Sequence, residues 1–177
     1  MQIIKTKIIG PLIIVPSIFK DTRGFFLEKY NYKSFFKTGI KHNFVQDNLS
    51  YSKKNVLRGL HFQKKFPQGK LVKVVKGEIF DVIVDLRKNK KSFGKYLSFR
   101  LSDKNHNQLW VPPGFAHGFC VLSKEAKVEY KCTEFYKPKD EYTLKWNDNE
   151  LKINWPIKKP IVSEKDSLGL TLEEIKI

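Results

Sequence analysis

Residues 77–87 read GEIFDVIVDLR, and this run carries the clearest secondary-structure signal in the chain. Every even position from 80 to 86 is apolar, whereas Ile and Asp alternate at the odd positions from 79 to 85. A side-chain period of two is typical of a β-strand, here with one face apolar throughout and the other mixed. Together with the run before it, LVKVVK, this pattern predicts a β-hairpin that turns at Lys76–Gly77.

Strand-like runs of the same kind lie on both sides of this segment. Downstream they are KYLSFRLS (95–102), QLWVP (108–112), HGFCVLS (117–123), AKVEYKCTEFY (126–136) and YTLKWN (142–147), and upstream residues 1–16 predict a first strand. Gly, Pro, Asn and Asp separate the runs at short intervals, as in β-sandwiches and barrels. We therefore expect a single all-β domain over residues 1–177, a jelly-roll β-barrel.

Helical signals are few and short. The run YKSFFKTG (32–39) predicts one or two turns that end at Gly39. The run SEKDSLGLTLEEI (163–175) predicts a short closing helix capped by Ser163 or Asp166.

Composition is that of a globular protein, with 41% hydrophobic and 14% aromatic residues. The formal net charge of +16 raises the question of a nucleic-acid partner. However, 30 of the 34 basic residues are lysines, and they are scattered in runs of no more than two. This pattern favours a solvated surface over a phosphate-binding groove, so we expect no specific nucleic-acid partner.

The sequence gives no sign of a membrane or secreted protein. Its apolar runs are far shorter than the roughly 18 residues that a membrane helix needs, and the first residues lack the pattern of a signal peptide. The two cysteines, Cys120 and Cys132, are too few for a disulfide framework and are expected to be buried free thiols. We expect a cytoplasmic protein.

Residues 56–63, VLRGLHFQ, place Arg58 and His61 on either side of Gly59 and Leu60. In a regular strand the two side chains would point to opposite faces, because their separation is odd. Both can enter one pocket only if a bulge or bend intervenes, and Gly59 is the natural place for it. Otherwise one of the two serves a neighbouring subunit or the surface.

Residues 110–119, WVPPGFAHGF, deliver His117 to the start of a strand after a rigid Pro-Gly turn. Together with His61 this suggests the metal-binding cupins, which hold an ion with two neighbouring His, a Glu and a later His. The pairing fails at Gln63, which stands where the second His of an H-x-H pair would be. Two imidazoles without further ligands make a poor transition-metal site, so we expect no metal and no cofactor.

Three further segments contain candidates on weaker grounds. Tyr130, Cys132 and Tyr136 share one strand face by parity, so two phenols could line a cavity, although ordinary aromatic packing explains the same spacing. Lys70 begins a strand rich in Val and Leu, where its ammonium would be desolvated or face a cavity. Asp166 belongs to no recognisable motif by itself, so the default interpretation is a surface carboxylate or a helix cap.

Taken in order, these runs resemble the dTDP-4-dehydrorhamnose 3,5-epimerase family over nearly the whole chain. The matching runs are FKDTRGFFLE, FVQDNLS, VLRGLHFQ, QGKLVKVVKGEIFDVIVDLR, SFGKYLSFRLS, QLWVPPGFAHGF, LKINWP and VSEKD. The resemblance implies a cupin-like jelly-roll that forms a homodimer and needs no metal. It also implies a dTDP-linked 4-keto-6-deoxyhexose substrate that is epimerised at C3 and C5.

The resemblance also implies a role for each matching residue. His61 matches the catalytic base, Asp166 the carboxylate that orients it, Tyr130 the general acid and Lys70 the cation beside the C4 oxygen. Tyr136 matches the aromatic residue that stacks on thymine. The remaining matches are substrate-contacting positions: Arg23, Glu28, Gln46, Asp47, Asn48, Arg58, His117, Glu141 and Lys165.

Two departures from the family pattern leave substrate choice open. Phe135 stands where relatives often carry a Tyr, and the segment between His61 and Lys70 is short. The alternatives are a C3-only or C5-only epimerase, or a related isomerase acting on another nucleotide-activated 4-keto sugar. Two other classes remain: a metal cupin and a non-catalytic binding module.

Overall fold

The computed structural model describes residues 1–176, apart from the side chain of Lys176. Within this range the chain forms thirteen strands and three short α-helices. In chain order they are β1 (Gln2–Lys5), β2 (Leu12–Val15), β3 (Ile18–Asp21), β4 (Gly24–Leu27), α1 (Tyr32–Lys37), β5 (Gln46–Lys53), β6 (Leu57–Gln63), β7 (Lys70–Lys76), β8 (Glu78–Asp85), β9 (Tyr96–Ser102), β10 (Gln108–Val111), β11 (Phe115–Val121), β12 (Glu125–Cys132), β13 (Glu141–Thr143), α2 (Glu164–Ser167) and α3 (Leu172–Lys176).

Two antiparallel sheets make up the body of the molecule. The larger has six strands in the order β1-β2-β10-β7-β12-β5, and the smaller has five in the order β13-β6-β11-β8-β9. Strands β3 and β4 form a separate hairpin. This arrangement confirms the predicted all-β jelly-roll with a few short helices. Residue 177 lies outside the described residues, and the single-domain boundary stays a prediction.

Three apolar clusters hold the layers together. The first lies between the two sheets and includes Val72, Ile83 and Val128. The second packs the C-terminal segment, through Leu151 and Leu172, onto the outer face of the five-stranded sheet. The third packs α1 onto the outer face of the six-stranded sheet, and its buried members are Ile14, Phe35, Ile40, Leu71 and Trp110.

The predicted hairpin at Lys76–Gly77 is wrong. Strand β7 belongs to the six-stranded sheet and β8 to the five-stranded sheet, so the chain crosses between the sheets at Gly77. Gly77 has φ +84°, and a Cβ there would overlap the carbonyl oxygen of Glu125. As a result the mixed face of β8 points into the barrel, with Ile79 and Ile83 in the first cluster, while its apolar face packs under the C-terminal segment.

Other predicted boundaries shift as well. Residues 1–16 form two paired strands, β1 and β2, rather than one. The closing helix is split into α2, which Ser163 caps, and α3. Strand β12 ends at Cys132, so Tyr136 lies in the loop that follows it. None of the helices in residues 1–176 is long and apolar enough to cross a membrane.

The crossing at Gly77 gives a stability test. We expect Gly77→Ala to lower the free energy of unfolding by more than about 2 kcal/mol. The new Cβ would strain the left-handed backbone at residue 77 and also clash with the carbonyl oxygen of Glu125. Gly39 also has a positive φ, +96°, but a Cβ there meets nothing within 4 Å. The control Gly39→Ala should therefore cost only about 1 kcal/mol. Urea unfolding measures both, and equal losses would contradict the crossing geometry.

Candidate active site

A cavity of about 310 Å³ opens between the two sheets. Its lining includes nine of the residues singled out from the sequence: Gln46, Asn48, Arg58, His61, Lys70, His117, Tyr130, Tyr136 and Glu141. The histidines come from the five-stranded sheet, whereas Lys70 and Tyr130 come from the six-stranded sheet. An imidazole and a phenol therefore face the cavity from opposite walls.

The bulge predicted at Gly59 is confirmed. In the pairing of β6 with β11, His61 lies opposite His117 and Arg58 lies opposite Phe119, so the register shifts between these two pairs. Gly59 has φ +104°, and a Cβ there would lie 2.6 Å from the backbone oxygen of His117. The extra residue brings Arg58 and His61 to the same cavity despite their odd separation.

Asp166 lies directly behind His61. The His61 Nε2–H donates to Asp166 Oδ1 at 2.6 Å, and the Gly59 amide donates to Asp166 Oδ2 at 3.2 Å. The Asp166 carboxylate is only 3% exposed. Burial raises its pKa, but the bonds from His61 and Gly59 outweigh burial and hold the pKa below the usual range of an aspartate. Asp166 is therefore a buried anion that fixes the His61 ring, not a surface carboxylate.

Lys70 and Tyr130 both point inward from the six-stranded sheet. Lys70 lies opposite Cys132 across the pairing of β7 with β12, and Tyr130 lies opposite Val72. Lys70 is 8% exposed, and its burial lowers the pKa of the ammonium. Burial likewise raises the pKa of the Tyr130 phenol, which keeps it protonated at neutral pH. One wall of the cavity thus holds a protonated phenol and a buried amine.

Amide and carboxylate groups form the rim of the cavity. Gln46 accepts from the Tyr136 backbone amide at 2.8 Å and donates to Asn48 at 3.0 Å. Glu141 Oε2 accepts from the Tyr136 hydroxyl at 2.7 Å and forms an ion pair with Lys165. Since Lys165 precedes Asp166 on α2, this pair also ties the helix to the rim.

Arg58 reaches the cavity along the edge of strand β5. Its Nε donates to Ser52 Oγ at 2.8 Å, and its Nη2 donates to the Tyr51 carbonyl at 3.3 Å. Neither bond neutralises the guanidinium charge, so Arg58 presents a cation to an anionic ligand.

Three predicted residues lie away from this cavity. Arg23 is on the β3–β4 hairpin with its side chain 88% exposed and paired with Asp21. Glu28 is exposed and accepts from Asn31 at 3.1 Å. Asp47 points to the opposite face of its sheet, where it pairs with Lys131 and lines a separate cavity of about 620 Å³. That larger cavity contains neither histidine.

One residue of the site was missed from the sequence. Asp81 is fully buried, and its Oδ2 accepts from His117 Nε2 at 2.9 Å. Burial raises the pKa of Asp81, and the His117 ring opposes that shift. The signal that could have found it is the alternation of Ile and Asp at the odd positions from 79 to 85, which places Asp81 on the same strand face as Ile79 and Ile83.

The sequence model of the dTDP-4-dehydrorhamnose 3,5-epimerase family matches residues 5–174. This chain belongs to that family. Among family members, the Shigella flexneri epimerase is 51% identical over 171 residues, 96% of this chain and 94% of its own. The Methanothermobacter thermautotrophicus epimerase is 49% identical over 176 residues, 98% of this chain and 95% of its own. The predicted family resemblance is confirmed.

Solved structures agree with the family assignment. A Legionella pneumophila dTDP-6-deoxy-D-glucose-3,5-epimerase in complex with dTDP-4-keto-L-rhamnose superposes with a TM-score of 0.94 at 46% identity, covering 97% of this chain and 93% of its own. A 3'-monoepimerase from Streptomyces bikiniensis in complex with dTDP-quinovose gives 0.88 at 28% identity, covering 95% and 86%. Both single-carbon and double epimerases thus share the fold of this family.

The environment of Tyr130 gives a direct spectroscopic test. Because burial disfavours the phenolate, Tyr130 should ionise above the value of about 10 that is usual for tyrosine. An ultraviolet pH titration of the parent protein minus that of Tyr130→Phe isolates this one phenol among seven. Ionisation at or below pH 10 would contradict a desolvated, protonated Tyr130.

Proposed function

We propose that this chain epimerises C3 and C5 of dTDP-4-dehydro-6-deoxy-D-glucose to give dTDP-4-dehydro-L-rhamnose. The observation that carries the proposal is the placement of His61, backed by Asp166, across the cavity from Tyr130. Membership of the epimerase family supports the same activity. The enzyme is an isomerase of the dTDP-L-rhamnose route to surface polysaccharide.

The chemistry depends on the ketone at C4. A C–H bond beside a ketone is acidic because the carbanion delocalises onto oxygen as an enolate. C3 and C5 both flank C4, so one activated ketone serves both inversions. Each inversion needs a base on one face of the ring, an acid on the other and positive charge at the enolate oxygen.

His61 is the base and Tyr130 the acid in this scheme. His61 Nδ1 removes the proton while the C–H electrons move to the C4 oxygen, and Tyr130 then delivers its phenolic proton to the opposite face of the same carbon. Asp166 fixes the tautomer of His61 and stabilises the imidazolium that forms. Return of the proton from imidazolium to phenolate through solvent restores both groups for the second carbon.

Lys70 supplies the charge at the enolate oxygen. Its ammonium is buried beside Tyr130, where little water screens an attraction to developing negative charge. Burial lowers the pKa of Lys70, whereas the nearby carboxylates Glu141 and Asp81 oppose its deprotonation. We propose that this balance keeps the amine charged in the closed site.

The nucleotide is held at the rim. Arg58 binds the diphosphate, because a guanidinium offers parallel hydrogen bonds that suit phosphate oxygens. Tyr136 stacks on thymine, since its ring is 47% exposed at the cavity mouth. The other proposed substrate contacts at this rim are Gln46, Asn48, Glu141 and Lys165, whereas His117 would contact the substrate from the cavity wall beside His61.

We propose a homodimer in which the partner completes the site. Arg23 and Glu28 do not line the cavity of their own chain, although they match substrate-contacting positions. Their hairpin also carries Phe25 and Phe26, which are 57% and 69% exposed. Apolar exposure of this extent marks an interaction surface. The hairpin would bring Arg23 to the diphosphate of the second subunit, whereas Glu28, just after β4, and Asp47, on β5, would contact other groups of the substrate.

The reaction in heavy water tests the function. Incubation with dTDP-4-dehydro-6-deoxy-D-glucose should place deuterium at both C3 and C5, seen by NMR, because each carbon receives a solvent-derived proton. His61→Gln should slow this exchange by about 10²–10⁴-fold. Label at one carbon alone would instead identify a single-carbon epimerase, the activity that the Streptomyces bikiniensis relative's description names.

The metal content of the same active protein tests whether the site is metal-free. In the described residues no three His, Cys, Asp or Glu side chains are grouped as ligands. The metal-free site and the cytoplasmic location stay predictions. Stoichiometric Fe, Mn or Zn in active protein would contradict the metal-free mechanism.

Subunit complementation tests the dimer. Coexpression of His61→Gln with Arg23→Ala should restore about a quarter of parental activity, because random pairing gives mixed dimers in half of cases, each with one intact site. Each variant alone serves as the control. Activity no greater than that of the separate variants would show that Arg23 acts within its own chain.

A further inference from the structure

The pair formed by His117 and Asp81 is built like the pair formed by His61 and Asp166. His117 is 5% exposed and lies directly opposite His61 on the neighbouring strand. Cross-strand neighbours share one face of a sheet, so both imidazoles reach the same cavity. Each imidazole donates through Nε2 to a carboxylate that is itself buried.

Asp81 is costly for the fold. It is 0% exposed, and in residues 1–176 no protein group donates to its Oδ1. Its flanking inward residues on β8, Ile79 and Ile83, are apolar and fully buried. A buried acceptor without a donor destabilises a protein, because the hydrogen bonds that it made to water in the unfolded chain are not replaced. Stability therefore gives no reason for a carboxylate here, whereas the bond to His117 does.

The chemistry of the pair restricts His117 to one form. An ionised carboxylate can only accept hydrogen bonds, so while Asp81 is ionised His117 Nε2 carries a hydrogen and Nδ1 is left for a bound ligand. An amide could either accept from Nε2–H or donate to a bare Nε2. An amide would therefore fix neither the tautomer nor the ring.

We propose that Asp81 is a positioning residue for the epimerisation, which holds His117 in its Nε2–H tautomer and presents Nδ1 to the bound sugar beside His61. The expected change in kcat rests on the proposed function. The expected tautomer of His117 does not depend on turnover.

The isosteric variant Asp81→Asn separates positioning from a structural role. A positioning role predicts that kcat falls about tenfold or more, as for other carboxylates that orient a functional histidine, with a smaller change in KM. It also predicts an unfolding midpoint equal to or above that of the parent, because a poorly satisfied buried charge is gone. A structural role predicts the reverse: a lower midpoint and unchanged kcat.

Asp85→Asn is the matched control. Asp85 lies four residues along β8, on the same face, and is also 0% exposed. However, its oxygens accept from Arg87 and Ser92, whereas those of Asp81 accept from His117, which lines the cavity. Asp85→Asn should therefore lower the unfolding midpoint and leave kcat unchanged at temperatures where the variant is folded.

Nitrogen NMR of the histidine side chains reads the tautomer directly. His117 is assigned among four histidines by the loss of its signal in His117→Gln. The parent should show the Nε2–H tautomer at His117, and Asp81→Asn should show a mixture. An Nδ1–H tautomer in the parent overturns the proposal even if the variants fail to fold. A single Nε2–H tautomer in a folded Asp81→Asn overturns it too.

A double-mutant cycle shows whether Asp81 acts through His117. In the His117→Gln background, Asp81→Asn should cause no further loss of kcat. A full additional loss would mean that Asp81 acts by another route and would overturn the assignment. Failure of the parent to turn over the 4-keto sugar would reject the proposed function alone, because the tautomer measurement needs no substrate.

Discussion

The hydrogen bond between His61 and Asp166 joins residues 105 positions apart. It forms only when the C-terminal segment folds back over the outer face of the five-stranded sheet. Leu151 and Leu172 anchor that segment by packing against the outward, apolar face of β8, which carries Val82 and Val84. The orientation of His61, the proposed base, thus depends on an apolar contact on the far side of the sheet, and its bond to Asp166 exists only in the fully folded chain.

The active site is the polar end of the barrel core. Strand β7 places Lys70 and then Val72 on its inward face, and β12 places Val128 and then Tyr130 there. Because strand side chains alternate, the residues that pack the core and those that face the cavity belong to one continuous surface. The core therefore fixes the distance between the wall with the imidazoles and the wall with the phenol.

The cavity concentrates buried charge at some cost to stability. Lys70, Asp81 and Asp166 are each less than a tenth exposed. Burying an isolated charge destabilises the folded state, and His61 and His117 offset part of this effect by binding the two carboxylates. Functional sites commonly lower the stability of a protein. Asp81 is the clearest example here, since its Oδ1 has no hydrogen-bond donor in the described part of the chain.

Local features followed from the sequence alone. The side-chain period of two predicted the strands and the all-β class. The odd spacing of Arg58 and His61 around Gly59 indicated the bulge, and the order of the motifs indicated the family. The tertiary structure alone decided the rest. It set the crossing at Gly77, the partner of Asp81 and the position of Arg23 outside the cavity. Turn residues fix how a chain bends but not which sheet it joins, because that choice depends on contacts between strands distant in sequence.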